Sequence, residues 1–116
     1  MVATPSTMLE LGTPIPDFAL RSAVDGSTVT PQDFAGKQAL LVMFICNHCP
    51  FVKHVKDELT RLGRDYLSKD VGIVAINSND VAKYPDDSPE NMKRLAEGEG
   101  WQFPFLFDET QEVARA

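Results

Sequence analysis

Cys46 and Cys49 are the residues of this sequence best suited to chemistry. They are its only two cysteines, and a spacing of three on the first turn of a helix allows two sulfur atoms to meet and bond. An apolar stretch precedes them and a helical pattern follows, so a strand would deliver the first sulfur to a helix N-terminus, which favours a thiolate. The pattern predicts a thiol–disulfide redox site with Cys46 and Cys49 as the catalytic pair.

Three neighbouring residues are candidates for supporting roles: Asn47, His48 and Pro50. The ring of Pro50 would clash with the carbonyl of residue 46 if that residue were helical, which keeps Cys46 at the helix boundary. We expect Cys49 one turn into the helix and less exposed, as suits a resolving thiol. His48 either favours the thiolate as an imidazolium or is a solvated histidine at a helix start.

The sequence is also compatible with other uses of the cysteine pair. The two residues could be small buried hydrophobes. A structural zinc site usually needs four ligands, and the two cysteines with His48 and His54 cluster on one turn and a half. We therefore expect no metal or other cofactor, and we expect His54 at the surface. Cys46 could instead reduce peroxide through a sulfenic acid, or the paired thiolates could carry Cu(I).

Composition limits the partners and the location. The chain has 116 residues, enough for one domain, and a net charge of -6. With no Lys/Arg cluster, this charge argues against nucleic-acid binding and against anionic membrane surfaces. No apolar stretch approaches the roughly 20 residues that span a bilayer, and residues 1–16 do not resemble a signal peptide. We expect a cytoplasmic protein, where a cycling disulfide is more usual than a permanent one.

The first half of the chain predicts a hairpin and a parallel unit of strand, helix and strand. Short strands at 17–20 and 27–30 flank the turn signal Asp25-Gly26. The unbroken apolar run at 39–45 predicts a strand buried on both faces, and another apolar run at 71–76 predicts its parallel neighbour. Between them, apolar residues recur at helical spacing; they are Val52, Val55, Leu59, Leu62 and Tyr66.

The second half predicts a loop, a helix, a short strand and the start of a further helix. The loop spans 77–87, and Ser88 caps a helix that runs to about Glu97. A strand follows at 103–107, and Asp108 with Gln111 predicts a capping box. Trp101, Phe103 and Phe105 are predicted core residues. Asp80, Asp86, Asp87 and Glu90 are predicted to form a solvated face. Asn77, Asn79 and Asp80 either contact a ligand or are ordinary loop residues.

With the strand, the Cys-Asn-His-Cys-Pro segment and the helix in place, the chain resembles the thioredoxin-fold redoxins. It is most similar to bacterial thioredoxin-like members of the alkyl hydroperoxide reductase/thiol-specific antioxidant group. The matching segments are residues 16–20, 25–26, 33–37, 41–51, 76–80, 84–85 and 107–114. The resemblance implies an α/β thioredoxin-like fold, with a central, mostly parallel sheet flanked by helices and an N-terminal β-hairpin. It also implies Cys46 as nucleophile and Cys49 as resolving thiol.

Two departures from the family pattern shape the remaining expectations. The family continues to a cis-proline loop, a β-hairpin and a last helix, so we expect residues 1–116 to form a single, incomplete domain with a loose leader at 1–13. The strand at 39–45 would then present an apolar edge and favour a homo-oligomer or a segment swap.

The second departure concerns the chemistry. True peroxiredoxins place a threonine three residues before the reactive cysteine, where this chain has Met43. Related copper-delivery proteins space their cysteines one residue wider. The resemblance therefore favours a thiol–disulfide oxidoreductase, with a protein or small-molecule disulfide as substrate and a thiol reductant to recycle it.

Overall fold

The computed structural model describes residues 8–47 and 49–115, which form a five-stranded sheet with helices on it. The regular elements, in chain order, are β1 (Leu20–Ser22), β2 (Thr28–Val29), a 3-10 turn (Pro31–Phe34), β3 (Ala39–Phe44), α1 (Pro50–Tyr66), a 3-10 turn (Leu67–Lys69), β4 (Val71–Asn77), a 3-10 turn (Pro85–Asp87), α2 (Pro89–Glu99), β5 (Phe105–Phe107) and α3 (Glu112–Arg115). The predicted α/β fold is confirmed.

The strands lie in the order β2-β1-β5-β4-β3. β3 pairs with β4 in parallel, and β4 pairs with β5 in parallel. β1 is antiparallel to both β2 and β5, so the predicted N-terminal hairpin is confirmed. Gly26, with φ of 75°, adopts the left-handed conformation that its turn requires. The hairpin thus extends a parallel three-stranded unit.

The core lies on both faces of β4, because alternate residues of a strand point to opposite sides. On one face Ile73 and Ala75 pack with α1, α2 and the aromatic residues before and within β5. On the other face Val74 and Ile76 pack with the N-terminal segment, the first 3-10 turn and α3. The predicted core residues Trp101, Phe103 and Phe105 are 8%, 2% and 0% exposed.

β3 differs from its prediction. It is the edge of the sheet formed by the described residues, and each of its residues is either half-buried or exposed. Leu41 is 38% and Phe44 is 52% exposed. The expectation of burial on both faces is therefore wrong, since β3 has a hydrogen-bonded neighbour on one side only within the described chain. The separate expectation of an apolar edge at 39–45 agrees with this arrangement.

α1 begins at Pro50 and carries the predicted apolar face. Leu59 and Leu62 pack against the core cluster under the helix, whereas Val55 and Tyr66 remain 41% and 44% exposed. Gly63 is the buried residue of this helix and lies against Phe103. The amphipathic pattern is thus confirmed, with the closest packing in the C-terminal half of the helix.

The structure corrects the predicted bounds of the first strand and confirms the predicted cap of α2. The predicted strand 17–20 becomes β1 at Leu20–Ser22, because only these residues face partners in β2 and β5. α2 is capped as predicted: the Asn91 amide donates to the Ser88 hydroxyl. It ends at Gly100, in the left-handed conformation.

The predicted capping box of Asp108 and Gln111 is wrong. Gln111 has a φ of 63°, which is not helical, and α3 starts only at Glu112. Asp108 nevertheless accepts from the amide of Ala114 over 3.0 Å, and from the Ser78 hydroxyl over 2.8 Å. Asp108 therefore still caps the last helix, while it also ties that helix to the loop after β4.

Candidate functional site

The two cysteines lie in the short turn that joins β3 to α1. The Ile45 amide still donates to the Ile76 carbonyl, which extends the parallel pairing by one residue. Cys46 follows directly, and Cys49 is the N-cap residue of α1. Both are thiols in this structure. The sheet therefore delivers Cys46, and the helix start holds Cys49.

The prediction that Cys49 lies one turn into the helix is wrong, because Cys49 precedes the first helical residue. Its backbone is extended, with φ of -67° and ψ of 123°, and Pro50 is the first helical residue. Proline is well suited to the first helical position, and its ring disfavours the helical conformation of the residue before it. The constraint of Pro50 on its immediate neighbour therefore outweighs its more distant effect on residue 46, and both sulfurs precede the helix.

A groove brings both cysteines to one surface. Its volume is about 260 Å³, and its remaining walls are mostly apolar. They are formed by Phe44, Ile45, Val52, Ile76, Ser78, Asn79 and Ala114. Cys46 and Cys49 are each partly exposed, so an incoming sulfur or oxygen atom can approach the pair from solvent.

The start of α1 is electrostatically suited to a thiolate. The Lys53 amide donates to the Cys49 carbonyl over 3.0 Å, which fixes the first turn. This turn contains no acidic side chain, so nothing in it opposes the positive end of the helix dipole. A negative charge on the cysteine turn is therefore favoured by the helix that follows it.

Asn47 connects the cysteine turn to the segment that precedes α2. Its amide N–H donates to Oδ1 of Asp87 over 2.6 Å, and its side-chain Nδ2 donates to the Asp86 carbonyl over 2.9 Å. The structure therefore gives Asn47 a positional role. His48, the other predicted supporting residue of the turn, lies outside the described residues.

Asp87 corrects one prediction made from sequence. Asp80, Asp86 and Glu90 are exposed, as expected for a solvated face, but Asp87 is 0% exposed. Its carboxylate is buried because it accepts hydrogen bonds from residues that the fold brings to it. Sequence reasoning missed this residue, since its partner Asn47 lies 40 positions away and no local pattern marks the pair.

The polar residues after β4 form a structural network. Asn77 is 0% exposed, and its Oδ1 accepts from the Asn79 amide over 3.0 Å. Asp80 accepts from the Ala82 amide in a local turn. Asn79 also lines the groove beside the cysteines. The contacts of Asn77 and Asp80 favour structural roles, with Asn77 as the last residue of β4 rather than in the predicted loop. Asn79 lines the groove and could contact a ligand there.

The described part of the chain has neither a cluster of metal-binding side chains nor a helix that could cross a bilayer. His54 is exposed on α1, as predicted. Within residues 8–47 and 49–115, no group of three or more His, Cys, Asp or Glu side chains is placed to hold a metal ion. None of the helices in that part of the chain combines the length and apolar character needed to cross a bilayer.

Comparison with solved structures gives a close match. An uncharacterized conserved protein from Geobacillus kaustophilus is 55% identical, with a TM-score of 0.91 over 98% of this chain. A more distant match is a thiol:disulfide interchange protein of the thioredoxin family from Chlorobium tepidum TLS, at 21% identity and a TM-score of 0.72 over 89% of this chain. The second match shows the thioredoxin-like fold.

A curated relative of this chain also carries a name that refers to redox chemistry. A Mycobacterium tuberculosis protein named "Putative peroxiredoxin" is 28% identical over 114 residues, which is 97% of this chain and 66% of the relative. This chain likewise spans 62% of the Geobacillus protein and 64% of the Chlorobium protein. It therefore corresponds to roughly two thirds of the length of these relatives.

The family model described as Redoxin matches residues 10–116. That match includes the hairpin, the parallel unit, the cysteine turn and the last helix. Together with the thioredoxin-like architecture of the sheet, it shows that this chain belongs to the Redoxin family and is a thioredoxin-fold redoxin.

Proposed function

We propose that this protein is a thiol–disulfide oxidoreductase that uses Cys46 and Cys49 as its dithiol. The observation that carries the proposal is the placement of both cysteines, each partly exposed, on one groove at a helix start. Membership of the Redoxin family supports it. The chemistry needs no metal or organic cofactor.

The reaction follows from the positions of the two thiols. The Cys46 thiolate attacks one sulfur of a substrate disulfide, forms a mixed disulfide and releases the other substrate sulfur as a thiolate. The Cys49 thiolate then attacks the Cys46 sulfur, which forms the Cys46–Cys49 disulfide and releases the second substrate thiolate. Two electrons pass from the protein to the substrate, and a thiol reductant must return them. The proposal places the protein in the reducing cytosol.

Cys46 is the better candidate for the attacking residue. It lies outside the helix, at the end of the strand, whereas Cys49 is fixed by its N-cap position and by the Lys53 bond to its carbonyl. A nucleophile has to reach a substrate, and a resolving thiol has only to reach its neighbour. Asn47 and Pro50 support the pair by holding the turn and starting the helix.

Peroxide reduction is the second candidate, favoured by the name of the Mycobacterium tuberculosis relative. In this reaction the Cys46 thiolate attacks a peroxide oxygen, becomes a sulfenic acid and releases an alcohol or water. Cys49 then forms the disulfide and releases water. Met43 argues against it, because this side chain is half-buried with the core and offers no hydroxyl group.

The test is the reduction of insulin disulfides by the full chain, with dithiothreitol as the final reductant. We expect Cys46→Ser to reduce the rate to that of dithiothreitol alone. When reduced Cys49→Ser is mixed with insulin without dithiothreitol, it should accumulate a mixed disulfide through Cys46, which mass spectrometry detects. Wild-type protein blocked with iodoacetamide is the control for a non-specific effect. Equal rates for wild type and Cys46→Ser would refute the proposal, and peroxide consumption without insulin reduction would favour the second candidate.

A further inference from the structure

A second groove lies between the segment that precedes β1 and the start of α3. Its volume is about 1140 Å³, against about 260 Å³ for the cysteine groove. Pockets for small molecules occupy roughly 300–1,000 Å³, so a groove of this size also suits a polypeptide segment. Much of its lining is apolar, namely Phe18, Leu20, Val81, Phe107 and Val113.

The charged side chains of this second groove are mostly acidic. Asp17, Glu109 and Glu112 line it and are exposed, and none of the three forms an ion pair with another described residue. Asp108 also lines the groove, but its carboxylate is buried and accepts hydrogen bonds within the fold. Arg21 is the one cation among the described lining residues. The exposed carboxylates therefore outnumber the cation, and the groove favours a positively charged occupant.

The backbone beside the second groove has hydrogen-bonding groups to offer. β1 and β5 run antiparallel, with Arg21 opposite Phe107, so the next hydrogen-bonded pair of this ladder would be Ala19 and Glu109. No backbone hydrogen bond joins those two residues, because the two segments diverge there and open the groove. Within the described chain, the N–H and C=O of Ala19 have no backbone partner. A polypeptide in the groove would supply one, as when a strand is added to a sheet.

We propose that this second groove is a docking surface for an extended polypeptide segment in which apolar side chains alternate with lysine or arginine. Successive side chains of an extended chain point to opposite sides. The apolar ones then cover the apolar lining, the cations approach the three exposed carboxylates, and the backbone pairs with Ala19.

The position of the docking surface suits a protein substrate of the cysteine pair. The second groove adjoins the cysteine groove, since Val113 lines the former and Ala114, the next residue of α3, lines the latter. The bound segment then belongs to a disulfide-containing protein with a basic, apolar stretch. This assignment of a substrate class rests on the proposed dithiol function, whereas the docking surface itself does not.

The first test titrates the full chain with a short peptide that contains no cysteine and in which lysine alternates with valine. We expect the peptide to shift the amide signals of Ala19, Glu109 and Val113 in nitrogen-15 NMR spectra. A peptide with glutamate in place of lysine removes the charge complementarity, and one with serine in place of valine removes the apolar contact. Each should bind about tenfold more weakly, and added salt should weaken binding of the lysine peptide.

The second test compares two double variants that change the net charge equally. Asp17→Lys with Glu109→Lys reverses two charges of the groove, and we expect the lysine peptide to bind about tenfold more weakly. Asp57→Lys with Glu58→Lys reverses two exposed charges on α1, outside the groove, and should leave the affinity unchanged. The single variant Glu109→Gln keeps the side-chain shape and should weaken binding about threefold, even where the double variant does not fold.

Several results would overturn the docking surface. They are equal binding of the lysine and glutamate peptides, equal affinity of wild type and Glu109→Gln, and shifts confined to the cysteine groove. If the amides of the second groove shift on raising the protein concentration without peptide, the occupant is a second copy and the proposal is wrong. None of these readouts needs turnover. A protein that binds the lysine peptide but does not reduce insulin therefore refutes the proposed function and leaves the docking surface supported.

Discussion

Replacement of Gly63 by alanine tests how closely α1 packs on the sheet. A Cβ atom at this position would lie 2.9 Å from Cδ2 and 3.2 Å from Cε2 of Phe103. The Phe103 ring is 2% exposed and stacks on Trp101 with ring centroids 5.0 Å apart. The ring therefore cannot turn aside without disturbing a second aromatic side chain.

Two opposing effects decide the magnitude. Alanine is more favourable than glycine inside a helix by about 0.5–1 kcal/mol. Overpacking a buried site costs about 1–3 kcal/mol, and a carbon pair at 2.9 Å is well inside the preferred separation of roughly 3.5–4.0 Å. We expect Gly63→Ala to lower the free energy of unfolding by about 1 kcal/mol.

Gly98 provides the matched control. It lies within α2, and a Cβ there would have no atom within 4 Å. Only the helix propensity changes at this position, so Gly98→Ala should raise the free energy of unfolding by about 0.5–1 kcal/mol.

Urea unfolding, followed by far-ultraviolet circular dichroism, measures both variants. The midpoint should fall for Gly63→Ala and rise for Gly98→Ala, with an unchanged slope in each case. Adding Phe103→Leu should reduce the loss caused by Gly63→Ala, because the contacting ring is gone. A Gly63→Ala variant as stable as wild type would refute the reasoning about the contact.

Two further predictions concern the hairpin turn and the edge strand. The Ser27 hydroxyl and amide donate to Asp25 and lower its pKa below the ordinary 3.8. The lowered pKa of Asp25 contributes stability that is present above pH 3.8 and is lost as the pH falls through the pKa of Asp25 in the folded protein. In an NMR titration, Ser27→Ala should raise the midpoint of the Asp25 carboxyl. The exposed edge of β3 should pair between copies, so light scattering should show dimers or larger species that Leu41→Lys reduces; a monodisperse wild-type monomer at high concentration would contradict this.

The sequence was sufficient for those elements that are recognisable from their own local residue pattern. The apolar run of β4 was predicted correctly as a buried strand, and Ser88 before proline was predicted correctly as a helix start. The run of β3 had the same composition, but its burial depends on which strands lie beside it. Composition does not contain that information, and the prediction of a strand buried on both faces was wrong.

The candidate site likewise contains residues that the sequence predicts and a contact that it does not. Cys46 and Cys49 are recognisable from the sequence, because a spacing of three at a helix start brings two sulfur atoms close enough in space to bond. The contact of Asn47 with Asp87 joins residues 40 positions apart, and either side chain alone resembles an ordinary loop residue. Only the packing of the loop after β4 against the cysteine turn brings them together.

The position of β1 in the sheet has a consequence for synthesis on the ribosome. Arg21 pairs with Phe107, which is translated 86 residues later. At about 5–20 residues per second, the nascent hairpin waits roughly 4–17 s for that neighbour. The unit of β3, α1 and β4 can assemble during this interval from contacts that are closer in sequence. The hairpin is therefore made first, but its pairing with β5 is among the last contacts of the sheet to form.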